Sequence, residues 1–206
     1  MSAAALAAAL TALLFALAGY AGAVLAEALC AGAQPYDDGP LPVAVGRIPL
    51  AVGAACAGLV FALRGTSPAQ LAVLLPVVLA LAGCAAADLR CGLLPDPLTL
   101  LPLAGIVGLG AFAHDWTPAL GAAFVALPFA ACALLTRGRG MGWGDVKLAA
   151  LGGALLGAGG ATLAFGLAAL AAFAMARLGG ALRRPIAFGP YLAASIAATL
   201  TFTRTF

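Results

Sequence analysis

Along this chain the apolar positions run together in long blocks, separated by short stretches that hold nearly all the polar residues. Blocks fall at roughly 3–29, 48–63, 68–87, 97–113, 118–136, 146–158, 160–176 and 187–203. A helix needs about 20 apolar residues to cross roughly 30 Å of hydrocarbon, and most of these blocks approach that length. No stretch alternates apolar and polar residues, so a membrane β-barrel is not expected. The pattern predicts an all-α, polytopic membrane helical bundle with about eight (six to eight) transmembrane helices. The least defined boundary is the sixth, where 146–158 merges through Gly157, Gly159 and Gly160 into the next block. The first block is long and has no basic start, so a cleaved signal peptide is not expected there. Connections are short. The longest, 30–47, carries Pro35, Asp37, Asp38, Gly39 and Pro40 and reads as a turn-rich loop. Residues 1–206 are therefore read as one membrane-embedded domain.

Composition narrows the function. Hydrophobic residues make up 65% of the chain and charged residues 8%, against about 25% charged in an ordinary soluble domain. Seven acids and ten bases cannot cover a soluble enzyme of this size. A disordered chain would be poor in apolar residues, and a net charge of +3 is too small to suggest nucleic-acid binding. The five cysteines (Cys30, Cys56, Cys84, Cys91, Cys132) form no CxxC pair and lie mostly in apolar runs, which reads as small buried hydrophobes. No metal site and no cofactor are expected. The bases set an orientation. With the N-terminus outside, the cytoplasmic loops hold Arg47, Arg90, Arg137, Arg139, Lys147, Arg177, Arg183 and Arg184, and the other side holds only Arg64 and Arg204. That asymmetry favours an even number of crossings in a plasma (inner) membrane.

With so few acids, each can be weighed. Asp37 and Asp38 lie in the long loop. Asp115 follows His114, the single histidine, in a short outer turn with Trp116 as an interface anchor. Glu27 ends the first block and is expected to reach the interface. Asp88 and Asp145 differ: one closes the third block and the other opens the sixth, so both sit at the cytoplasmic ends of apolar helices. An ionisable group there is costly and points to function, although Asp145 as a helix cap and Asp88–Arg90 or Asp145–Lys147 pairing are the ordinary alternatives. Two carboxylates close together in a poorly solvated site cannot both ionise easily. One then takes a proton from a water held between them, while the other donates a hydrogen bond to a scissile carbonyl. Titration belongs to the pair, so neither role is assigned to one residue. Gly142 and Gly144, just before Asp145, allow the backbone to bend and a neighbour to approach.

These residues resemble the type IV prepilin peptidases, membrane aspartic proteases of the GxGD type. Asp88-Leu89-Arg90-Cys91-Gly92-Leu93-Leu94-Pro95-Asp96-Pro97-Leu98-Thr99 is similar to that family's D-x(5)-[IL]-P-[DN]-x-L-T block. Gly140-Met141-Gly142-Trp143-Gly144-Asp145-Val146-Lys147-Leu148 is similar to its G-x-G-D-x-K-L block. A weaker third block, Pro185-Ile186-Ala187-Phe188-Gly189-Pro190-Tyr191-Leu192, has Ala187 where Pro is usual. Order and spacing fit over about 70–203. The resemblance implies that Asp88 and Asp145 are the catalytic pair, with Gly142, Gly144, Lys147 and Asp96 in support. Asp96 shapes the loop or caps the next helix, and Lys147 orients Asp145 or meets the substrate. It further implies prepilins, pseudopilins or Flp-type pilins as substrates, cut after a short basic leader at the cytoplasmic face. Long members insert a cytoplasmic domain with two CxxC pairs between their first two helices and also N-methylate the product. Here only 30–47 occupies that position, so peptidase activity alone is expected.

Two other readings stand beside this one. A protease of the signal-peptide-peptidase or presenilin type would have Tyr before the first acid and Pro-Ala-Leu after the second. Here Ala87 precedes Asp88, and Pro118-Ala119-Leu120 comes before Asp145. A small transporter or channel would use the two acids for protons or cations. The sequence names neither the pilin nor the oligomeric state.

Overall fold

A computed structural model describes residues 2–32, 46–137, 141–178 and 187–202. The expected turn at 30–47 with Asp37 and Asp38 lies largely outside them, as do Arg139, Gly140, Arg183, Arg184, Pro185, Ile186 and Arg204. Every described element is helical: α1 (Ala3–Cys30), α2 (Arg47–Leu63), α3 (Pro68–Cys91), α4 (Asp96–Phe112), α5 (Thr117–Leu135), α6 (Trp143–Leu178) and α7 (Gly189–Phe202). The all-α reading is met, and the apolar blocks became the helices. Four of them, α1, α3, α5 and α6, are long and apolar enough to cross a membrane. The chain is a multi-pass membrane protein.

One boundary departs from the block pattern. The sixth and seventh blocks form one 36-residue helix, α6, broken only by Gly157, whose φ of 67° and ψ of 175° are not helical. The helix reverses there. A Cβ on Gly152 would lie 2.6 Å from Cζ of Phe165, whereas thirteen residues of straight helix would hold the two roughly 20 Å apart. Phe165 also meets Phe129 of α5 edge-on, with ring centroids 5.5 Å apart. Gly157 alone turns the chain because only glycine adopts this backbone without penalty.

Large apolar side chains such as Leu17, Phe124, Leu127 and Phe173 face outward. In lipid such surfaces give no net drive for helices to associate, so cohesion depends on close packing of small residues. α5 and α6 supply it: a Cβ on Gly121 would sit 2.3 Å from the Gly153 carbonyl oxygen, and one on Gly153 would sit 2.4 Å from that of Gly121. Gly121→Val is therefore expected to lower the melting temperature in detergent markedly. Gly105→Ala, which meets nothing within 4 Å, is expected to leave it unchanged or slightly raised. A thermal scan of the two variants checks this.

Helix ends follow local signals. Ser67 and Gln70 form a capping box at the start of α3, with Pro68 in the first turn. Gly92 closes α3 in the left-handed region (φ 63°), its N–H donating to the Asp88 carbonyl at 2.9 Å. Asp88 thus lies in the last turn of α3. In the turn before α5, Asp115 accepts from the Thr117 amide at 2.9 Å and from its hydroxyl. Those bonds hold its carboxyl below the usual range, and an exposed interfacial turn accounts for it. α4 and α7 each pack against both α3 and α6, so they carry the ends of those two helices toward each other.

Candidate active site

Asp88 is buried, 7% exposed, in a chain whose other acids are half-buried or exposed wherever they are described. Its Oδ2 accepts a hydrogen bond of 2.8 Å from the backbone N–H of Gly189, the first residue of α7. A helix N-terminus leaves such amides unpaired, and Asp88 satisfies one of them from across the bundle. The fit is tight, because a Cβ on Gly189 would lie 2.8 Å from that same oxygen.

Asp145 is the third residue of α6 and half-buried. Its Oδ2 lies 3.4 Å from the Gly142 amide, reaching back over the helix start as the acid of a capping box does. It is not itself the first cap. Asp145 also lies within electrostatic reach of Asp88. The helix ends bring the two carboxylates to one end of the bundle.

Loop packing between them explains the motif residues. Leu94, between the first acid and α4, lies against Gly144, where a Cβ would come within 2.7 Å of the Leu94 Cβ. Leu98 covers Gly83 of α3, and the buried Thr99 hydroxyl donates to the Asp96 carbonyl at 3.2 Å. Gly144 is thus sterically required. Gly142 is not, because a Cβ there would stay 3.6 Å from Asp145 Oδ2. Gly142 serves as a donor and not as an opening for close approach.

The cations pair elsewhere. Lys147 Nζ contacts Asp96 Oδ1 at 2.5 Å, so its ion pair is with Asp96 and not with Asp145. Asp96 opens α4, but the capping position is Pro95 and no side chain bonds the helix start. Asp96 is therefore paired with Lys147, and its charge in the first turn suits the helix dipole. Glu27 holds Arg90 at 2.6 Å and also binds Arg47, so it ties together the ends of α1, α2 and α3 rather than simply reaching the interface. Among the described residues, no Lys or Arg forms an ion pair with Asp88 or Asp145. The simple pairings with Arg90 and Lys147 do not occur.

Two features were not read from the sequence. Gly189 was legible only as part of the weakest motif, Phe188-Gly189-Pro190, where a glycine at a helix start was the available signal. Cys30 and Cys91, taken as separate buried hydrophobes, are bonded to each other across α1 and α3, with Cα atoms 6.6 Å apart. Cys56 and Cys132 are exposed, and of the free cysteines Cys84 alone is buried. Their separation along the chain gave no sign of this pairing.

Comparison with known proteins agrees with the motifs. Over 168 residues the chain is 42% identical to a prepilin leader peptidase/N-methyltransferase of Burkholderia pseudomallei strain 1026b, covering 75% of this chain and 53% of that protein. The same values hold for the protein of that name in strain K96243. The chain thus spans about half the length of the curated relatives it matches. No solved structure matches it. The model of the type IV leader peptidase family matches residues 73–177, which include Asp88, the Leu94 loop and Asp145, and the chain belongs to that family.

Proposed function

We propose that this chain is a prepilin leader peptidase. It is an aspartic endopeptidase that cuts type IV prepilins, pseudopilins or Flp-type pilins after a short basic leader, with Asp88 and Asp145 activating one water. The observation that carries this reading is a pair of carboxylates at one end of the bundle, one buried on α3 and one at the start of α6, neither held by a cation among the described residues. A structural acid in an apolar bundle needs a partner charge. These two lie within electrostatic reach of each other, and a pair sharing a proton can act together as base and acid on water and a peptide carbonyl. Gly189 fixes the Asp88 carboxylate. Leu94 on Gly144 sets the start of α6 and so the direction of Asp145.

The orientation that places this end at the cytoplasmic face of the plasma membrane is supported by the eight-to-two distribution of Lys and Arg. The reversal at Gly157 divides α6 into two rods, which is compatible with an even number of crossings and with both ends of the bundle's chain on the outer side in this reading. The 30–47 connection is too short for a separate domain between α1 and α2. In this reading the segment acts as a peptidase alone, with N-methylation of the product absent or done elsewhere. A transport role for the acids would favour mid-membrane positions, whereas these occupy the last turn of α3 and the first turn of α6.

Co-expression with a prepilin tests the proposal. The wild type is expected to shorten the pilin by its leader, and unprocessed pilin would overturn the reading. Asp96→Asn removes a charge from a half-exposed pair at the site's edge, and surface pairs contribute about 0–1 kcal/mol. It is expected to retain cleavage within a few-fold of wild type in the same assay. Complete loss would move the first catalytic acid from Asp88 to Asp96.

A further inference from the structure

An apolar cavity of about 460 Å³ lies between α2, α3 and α7. Its walls run from Pro49 to Val60 on α2, from Val78 to Leu89 on α3 and from Pro190 to Thr201 on α7. Each wall therefore covers three helical turns, roughly 16 Å at 1.5 Å per residue. The floor on α3 is buried at Leu81 and Ala85, whereas Gly53, Cys56 and Ala194 on the sides are exposed, so the groove opens laterally. Much of its lining is Gly or Ala, the residues that let a second helix approach closely.

The two ends differ. At the far end Arg64, which caps α2, donates to the Thr201 carbonyl of α7 and joins the two sides. At the other end the groove reaches Leu89 and Pro190, the chain neighbours of Asp88 and Gly189. Leu81, Ala85 and Asp88 stand at i, i+4 and i+7 on one face of α3, and Pro190 follows the glycine that donates to Asp88. An apolar rod lying in this groove would emerge beside Asp88.

We propose that this groove receives the apolar stem of the substrate, a single membrane-spanning helix whose polar leader continues past Asp88. The proposal rests on the peptidase reading given above and adds where the stem binds. Continuity of the groove face with Asp88 sets the register. The stem enters sideways from the lipid, stops against the α2–α7 junction and leaves its junction with the leader at the acids. A lipid chain or a second copy of this protein would have no reason to end at Asp88.

Cys56 provides a native probe because it lines the groove and is exposed. A prepilin carrying single cysteines scanned along its stem would be mixed with the protein in vesicles and treated with a short bismaleimide. Cross-links to Cys56 are expected at stem positions recurring every three to four residues, and are expected to vanish in Cys56→Ser. This readout does not depend on cleavage, so it separates failure of the groove from failure of the peptidase reading. Ala57→Trp and Ala197→Trp are expected to raise KM for full-length prepilin roughly tenfold with kcat little changed. They should leave cleavage of a soluble peptide, consisting of the leader and the first stem residues, as in wild type. Absence of cross-links, cross-links only between copies of this protein, or unchanged KM in both Trp variants would overturn the proposal.

Discussion

Replacing Asp88 or Asp145 by Ala is expected to abolish leader cleavage while the protein remains folded. In the proposed mechanism each carboxylate does work that the other cannot take over, because one accepts the water proton while the other donates to the carbonyl. Loss of an acid–base group costs about 10²–10⁴-fold, and loss of a member of a cooperating unit falls toward the top of that range. Stability should respond in the opposite direction. Asp88 is a buried acid that accepts from the Gly189 amide, and removing a buried charge that no cation among the described residues compensates is expected to be neutral or favourable. Both variants are expected to reach wild-type amounts in the membrane and to melt at or above the wild-type temperature. Prepilin processing measured beside a melting curve checks both parts.

The second large effect is expected from Gly189→Ala, a one-carbon change outside the two acidic motifs. The added Cβ would stand 2.8 Å from Asp88 Oδ2 and 3.1 Å from its Cβ and Cγ. The contact is too close to tolerate, and the Asp88 side chain is the mobile partner. It rotates away from the amide and out of register with Asp145. Misplacing a reacting group by about 1 Å costs on the order of 10²-fold, so kcat is expected to fall by about that factor. Gly142→Ala makes the contrast: its Cβ would lie at an ordinary 3.6 Å from Asp145 Oδ2, and activity should stay within a few-fold of wild type. Equal losses in the two variants would show that steric fit around Asp88 is not what matters.

The helices could be read from the sequence because membrane-spanning segments are set by length and apolarity, which are local properties. The two acids stood out because charge is scarce in such a chain. What could not be read depended on contacts distant in sequence. Glu27 gathers Arg47 and Arg90 from two other helices, and nothing in its local sequence marks this. Lys147 stands two residues from Asp145 in the sequence, yet the start of α6 turns it toward Asp96. Along a helix, residues i and i+2 point apart, which already argued against that pairing. The reversal at Gly157 was visible only as an ambiguous glycine run, because φ of one residue decides between one long helix and two rods. Gly142 and Gly144 looked equivalent in the motif, and only the position of Leu94 separates their roles.

The claim at the centre of this account is that Asp88 and Asp145 act as one unit. A double-mutant cycle tests it most directly, with kcat/KM for prepilin cleavage measured in lipid vesicles for wild type, Asp88→Asn, Asp145→Asn and the double variant. If the pair is a unit, each single change already removes its chemistry, and the double variant is expected to be no slower than the slower single one. Losses that multiply, or either single variant cleaving at the wild-type rate, would contradict it.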